Sequence, residues 1–383
     1  MKTNLTASEM KQLIAKVFSP RSDDKHLLIL VDVPNERVSD GQNWRERRVL
    51  ATEWRDIFEN LKSDLGLDLI VLLYYENVGS NNADLPVFGY TWSGDPRKAA
   101  AELLRTEGQS IAMEGALTDA HIILAPTEFS TTAPLKVLAK KHPFRAATMP
   151  GFSRAMIPAL SVDYNQVHER VMRLKTRLDE AQAARICFEA EEKEYRLFVD
   201  LRFRTAHASS GLLRERGMAA NLPSGEAYIV PYEGEGKEKS KTAGDLPVQF
   251  GDEIVLYEIR ENRAIAVRSQ GPASEDEKRK LQNEPAYGNI AELGFGVLAA
   301  FGILPIGETL LDEKLGLHIA FGRSDHFGGI VSPKSFLNPD NVVHIDRIYI
   351  PEVQSGIKVK EVRFEYDGGR DELIIRDGNY TNL

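Results

Sequence analysis

His344 and Asp346 stand one residue apart in VVHIDRIYI (342–350), a stretch that otherwise reads as a β-strand and that Pro351 stops. Side chains alternate faces along a strand. Val342, His344, Asp346 and Ile348 therefore share one face, and Val343, Ile345, Arg347 and Tyr349 the other. A charge among apolar residues is costly unless it is paired or ligates a metal. Imidazole suits Zn, Co, Fe and Mn, and a carboxylate can bridge two ions. The pair needs partners, and three upstream segments offer them.

In NLPSGEAYIVP (221–231) a Pro-Ser-Gly turn delivers Glu226 to the start of a strand, and the glycine before it permits close backbone approach. In NIAELGFG (289–296) Glu292 sits in an apolar run followed by Gly294 and Gly296. Its G-x-G lacks the third glycine and the strand-then-helix context of a dinucleotide loop. In LGLHIAFGRSDHFGG (315–329) His318 lies between Leu317 and Ile319, and a polar cluster with Asp325 and His326 follows. Each segment alone has an ordinary structural explanation. Their concentration in one stretch of the chain favours a metal site.

Composition bounds the rest. With 383 residues the chain is long enough for two domains. A net charge of −9, without a basic stripe, argues against a nucleic-acid or polybasic membrane-surface protein. Cys187 is the only cysteine, which excludes an intrachain disulfide and a Cys-x-x-Cys zinc site. The reading is a cytoplasmic protein without signal peptide or membrane span.

The elements that must hold these residues divide into two kinds. HLLILVDVP (26–34), LDLIVLLYYEN (67–77) and DAHIILAP (119–126) are apolar strands separated by helix-like stretches. The helix of 44–66 turns Val49, Trp54, Ile57, Phe58 and Leu61 toward a core. This alternation predicts an α/β domain with a mostly parallel sheet over residues 1–183. A helix from about 164 carries Val167, Val171, Leu174, Leu178 and Ala181 on one stripe. Residues 184–383 read as a β-rich α+β domain that holds the candidate site. The charged loop GEGKEKSKTAGD (234–245) reads as a solvated surface loop or as a lid over the site.

Asn221-Leu-Pro-Ser-Gly-Glu226, Glu292-Leu-Gly-Phe-Gly296, His318-Ile-Ala-Phe-Gly322 and His344-Ile-Asp346 together resemble the M29 family of metallopeptidases, the aminopeptidase T-like enzymes, in order and approximate spacing. The resemblance implies a homodimer and a peptide substrate. It implies two divalent ions, Zn, Co or Mn, held by Glu226, Glu292, His318, His344 and Asp346, with Asp346 as the bridge. Glu226 or Glu292 would then take a proton from the attacking water. Where the family has a catalytic tyrosine seven residues after the strand histidine, this chain has Asp325, followed by His326. These two are the candidates for its role. Two other readings follow: a peptide-binding relative without turnover, and a mononuclear iron ring-cleaving dioxygenase, whose family resembles the same C-terminal domain.

Overall fold

A computed structural model describes residues 4–383. They form two compact units: residues up to His168 together with Gly211–Ser224, and Glu169–Ser210 together with Gly225–Leu383. The chain thus crosses between units three times, where the sequence suggests one boundary near 183.

The first unit is built on a seven-stranded sheet. Its order is Met218–Asn221, Arg145–Thr148, Ile122–Ala125, His26–Val33, Leu69–Glu76, Phe88–Thr91 and Gln109–Ala112. The first five strands run parallel, and the last two are antiparallel additions. Leu27–Val33 is buried throughout, as a strand covered on both faces must be. The helix Gln42–Leu65 buries Val49, Trp54, Phe58 and Leu61, while Ile57 is half-buried. It ends at Gly66, whose left-handed backbone (φ 68°) suits glycine.

The second unit holds two antiparallel sheets. The larger has eight strands; from one edge, Arg263–Val267, it runs through Ala181–Ala190 and Ile357–Tyr366 to Asn379–Tyr380. The smaller has five, ordered His344–Ile348, Leu317–Gly322, Ile290–Gly296, Glu226–Ile229 and His207–Ser209. One face of the smaller sheet is apolar. From it Phe295 packs edge-on to Phe364 of the larger sheet, at 5.4 Å between ring centres. Phe321 meets Tyr257 there at 5.1 Å, and Arg347 lies over Phe250 at 4.7 Å. By alternation the opposite face receives Glu292, Gly294, His318, Ala320, His344 and Asp346. This is the face assignment expected for 342–350.

Among the described residues, no helix is long and apolar enough to cross a membrane. In the 234–245 segment, Tyr232 Oη donates to Glu238 O and accepts from Gly236 N, and Ser240 and Thr242 are buried. Ala243–Asp245 already belongs to a strand.

Candidate metal centre

The small sheet brings the four sequence segments side by side. In register, Glu226 pairs with Gly296, Gly294 with His318, and Glu292 with Ala320. Ala320 pairs in turn with Asp346, and Gly322 with His344. A register shift between Ile290 and Glu292 bulges this strand as it enters the site. Two glycines make room. A β-carbon on Gly294 would stand 1.9 Å from His318 Nε2, and one on Gly296 would stand 2.1 Å from the Lys314 carbonyl carbon.

The ligand atoms form two groups that share one residue: Glu226, Glu292 and His318; and Glu292, His344 and Asp346. His318 Nε2 is 3.3 Å from Glu292 Oε1 and 3.4 Å from Glu226 Oε2. His344 Nε2 is 3.3 Å from Glu292 Oε2 and 3.8 Å from Asp346 Oδ1. Ligands about 2.0–2.1 Å from a tetrahedral ion stand about 3.3–3.4 Å apart, so these spacings fit a metal. Among the described residues Glu226 Oε2 is buried without a hydrogen-bond partner, as an atom reserved for an ion would be.

The atoms behind these groups are aligned too. His344 Nδ1 is 2.8 Å from Arg323 O, and His318 Nδ1 is 3.3 Å from Gly316 O. A carbonyl only accepts, so each Nδ1 carries the hydrogen. Once neutral, each ring would turn a lone pair at Nε2 toward the carboxylate side, the usual outer-shell arrangement of a metal-bound histidine. Lys314, 1% exposed, donates to Glu226 Oε1 at 2.6 Å and also pairs with Glu313.

Charge coupling is strong. Burial alone would lower both histidines, but Glu292 and Glu226 push His318 up to about 9, and Glu292 and Asp346 push His344 up to about 10. Burial would raise Glu292, yet the two imidazoles hold it well below the usual carboxylate range. Burial, joined by the Glu226 and Asp346 charges, pushes Glu313 up to about 8 against the pull of Lys314.

An aromatic wall borders the second group. Phe327 lies 5.5 Å from the His344 ring and 4.8 Å from Tyr228, and His207 stacks on Tyr228 at 5.1 Å. His207 Nε2 donates to Phe327 O at 2.9 Å. Glu233 anchors the loop that carries Phe327, accepting from Ser324 Oγ at 2.6 Å and Ile330 N at 2.5 Å.

No protein-family model and no curated protein matches the chain. Solved structures match it from end to end. A 2,5-dihydroxypyridine dioxygenase from Pseudomonas putida KT2440 aligns at a TM-score of 0.60 and 14% identity, over 99% of each chain. AmpT from Thermus thermophilus aligns at 0.54 and 14% identity, over 98% of each chain. These likenesses show the fold. At such identity they leave the reaction open.

The structure brings Glu226, Glu292, His318, His344 and Asp346 together. It shares Glu292 between the groups, where the resemblance suggests Asp346. Asp325 and His326 stand outside both groups. Asp325 is engaged by Arg323 Nε at 2.5 Å. Burial opposes it, but that guanidinium holds the Asp325 carboxyl below its ordinary value, so the carboxylate accepts rather than donates. The His326 ring is 5.2 Å from that of His344, and burial with the neighbouring His344 and Arg323 charges lowers it to about 4. Sequence reading missed Glu313, Lys314 and Tyr228. A charged pair inside LLDEKLGLH was the signal for the first two, and a tyrosine two residues after Glu226, hence on its face, for the third.

Proposed function

We propose that this chain is a dinuclear metal-dependent hydrolase of peptide or amide bonds. The observation that carries the reading is Glu292, buried between two three-residue ligand groups, each with one imidazole and two carboxylates. Two divalent ions, when bound, would lower the pKa of a water and polarise a carbonyl. Glu226 and His318 would hold one ion, His344 and Asp346 the other, and Glu292 would contact both. Neither Glu226 nor Glu292 would keep an oxygen for a proton once ions bind: Lys314 takes Glu226 Oε1 and leaves Oε2 for an ion, and both oxygens of Glu292 face the two imidazole groups. Glu313, pushed up to about 8 in the metal-free protein, mostly holds its proton at neutral pH and would act as a proton donor rather than as the base. Phe327, Tyr228 and His207 would flank a bound side chain.

The aminopeptidase AmpT shares the fold and supports the reading. The dioxygenase likeness supports a second one, a single iron with oxygen chemistry. A lone iron usually takes two histidines and one carboxylate, whereas here the histidines fall in different groups.

The test is metal content by elemental mass spectrometry on protein purified without chelator, followed by cleavage of a peptide library. Two Zn, Co or Mn ions per chain and chelator-sensitive cleavage are expected. Cleavage that survives exhaustive chelation overturns the hydrolase. One iron per chain, with oxygen uptake, replaces it with the dioxygenase.

A further inference from the structure

Tyr228 shares its strand face with Glu226 and pairs with Gly294, the residue over which the His318 imidazole lies. It is 9% exposed; among the described residues its hydroxyl makes no hydrogen bond, and the oxygen keeps access to solvent. Tyrosine hydroxyls sealed in a core ordinarily find a protein partner. Others in this unit do. Tyr257 and Tyr287 donate to Glu277 at 2.6 and 2.5 Å, Tyr349 to Pro247 O at 2.9 Å, and Tyr380 to Gly296 O at 2.8 Å. Tyr228 is held instead by its ring. His207 stacks on one side, and Phe327 meets it edge-on. Phe327 in turn touches His344 of the second ligand group. The charges that act on the phenol are those of Glu292, Glu226 and Glu313. The clamp holds the phenol on the ligand face of the sheet, on the Glu226 strand and within the field of Glu292, with its donor unused by the described residues.

We propose that Tyr228 is a catalytic residue of this site, its O–H donating a hydrogen bond to the substrate oxygen that gains negative charge at the metal centre. The proposal rests on the hydrolytic reading for the identity of that oxygen. No proton is transferred in this step; the phenol keeps its hydrogen and shares it with the developing oxyanion. A fixed donor of this kind acts where charge appears during the reaction, so it contributes to turnover more than to binding.

The test is Tyr228→Phe, which keeps the ring and its stacking. Both proteins are loaded with cobalt, and the metal content is measured for each. Two readouts are taken: kcat and KM on the best peptide from the library, and the affinity of inorganic phosphate, a tetrahedral oxyanion, followed through the cobalt absorption spectrum. With metal content and melting temperature unchanged, kcat should fall about 10²–10³-fold at similar KM. Phosphate should weaken about tenfold or more, since a hydrogen bond to an anion is lost. Equal kcat and equal phosphate affinity in the two proteins overturn the proposal, as does failure of phosphate to bind the loaded wild type. If no peptide is cleaved by wild type but Tyr228→Phe still weakens phosphate, the hydrolase reading falls and Tyr228 stands as the anion donor of the site.

Discussion

Replacing Glu292 should cost the protein both metals, whereas replacing Asp346 should cost one. Glu292 presents Oε1 to His318 and Oε2 to His344, each at 3.3 Å. Its carboxylate is thus one of three ligands in each group. Structural zinc sites with four protein ligands bind with about 10–16 kcal/mol, so one ligand accounts for roughly 3 kcal/mol, about two orders of magnitude in affinity. Glu292→Gln preserves shape but removes the charge from both groups, so both dissociation constants should rise about a hundredfold on that scale. Glu226→Gln and Asp346→Asn should each raise one constant by a similar factor and leave the other near wild type. The assay is calorimetric titration of the metal-free variants with zinc, backed by elemental analysis after dialysis against a buffered free-zinc concentration. Wild type should retain two ions, Glu226→Gln and Asp346→Asn one, and Glu292→Gln none. If Asp346→Asn loses both while Glu292→Gln keeps one, the bridge is Asp346 and the reasoning from the ligand groups is refuted.

Metal binding at pH 7 should release protons. The metal-free His318 and His344, raised to about 9 and about 10, are charged there and must become neutral to ligate. Titration heats should therefore vary with the buffer's ionisation enthalpy, and invariant heats would refute the coupling. The metal-free protein should also respond to pH in a defined way. Histidines raised in the folded state stabilise it below their unfolded value of about 6.5, and that stability is lost as pH climbs through 9–10. Glu292, lowered in the folded state, contributes stability above its unfolded value of about 4.3 that is lost on acidification. Thermal melts of chelated protein should thus peak between about pH 4.5 and 6.5, and a peak above pH 8 would contradict the assignment. Lys314→Met should weaken the Glu226 group about 10–100-fold and spare the other, because it unpins Glu226 Oε1; equal weakening of both groups would argue against a local role. Gly294→Ala should displace His318 by a single methyl and remove one ion without unfolding the sheet, checked by metal count and circular dichroism; retention of both ions would show that the imidazole is not seated on Gly294.

Much of the first unit was legible because its strands are buried on both faces. HLLILVDVP and DAHIILAP are continuous apolar runs, and only a covered parallel strand or a buried helix reads that way. The strands Phe88–Thr91 and Gln109–Ala112 escaped notice. They are short additions with partly exposed residues and no periodic pattern. Met218–Asn221 escaped for another reason. It joins the parallel sheet beside Arg145–Thr148 from a segment far along the chain, and local pattern carries no information about such a pairing.

The site divides along the same line. That His344 and Asp346 share a face follows from alternation alone, and so does the company of Glu226 and Tyr228. Which carboxylate is shared depends on strand order, which no local pattern encodes. The order is His344–Ile348, Leu317–Gly322, Ile290–Gly296, Glu226–Ile229. Strands lie about 4.8 Å apart, so the Asp346 strand and the Glu226 strand are separated by about 14 Å of sheet. A ligand common to both groups has to come from between them. Glu292 is on the inner strand next to Glu226 and next to His318, and across its row stands Ala320, the small residue that separates it from Asp346. A long side chain there reaches over an alanine to the edge strand, which the shorter Asp346, from the edge, cannot do in return. Ala320→Leu should therefore break the second group while leaving Glu226 and His318 in place, reducing the metal count by one. Two ions retained in that variant would mean that Glu292 does not cross Ala320 at all.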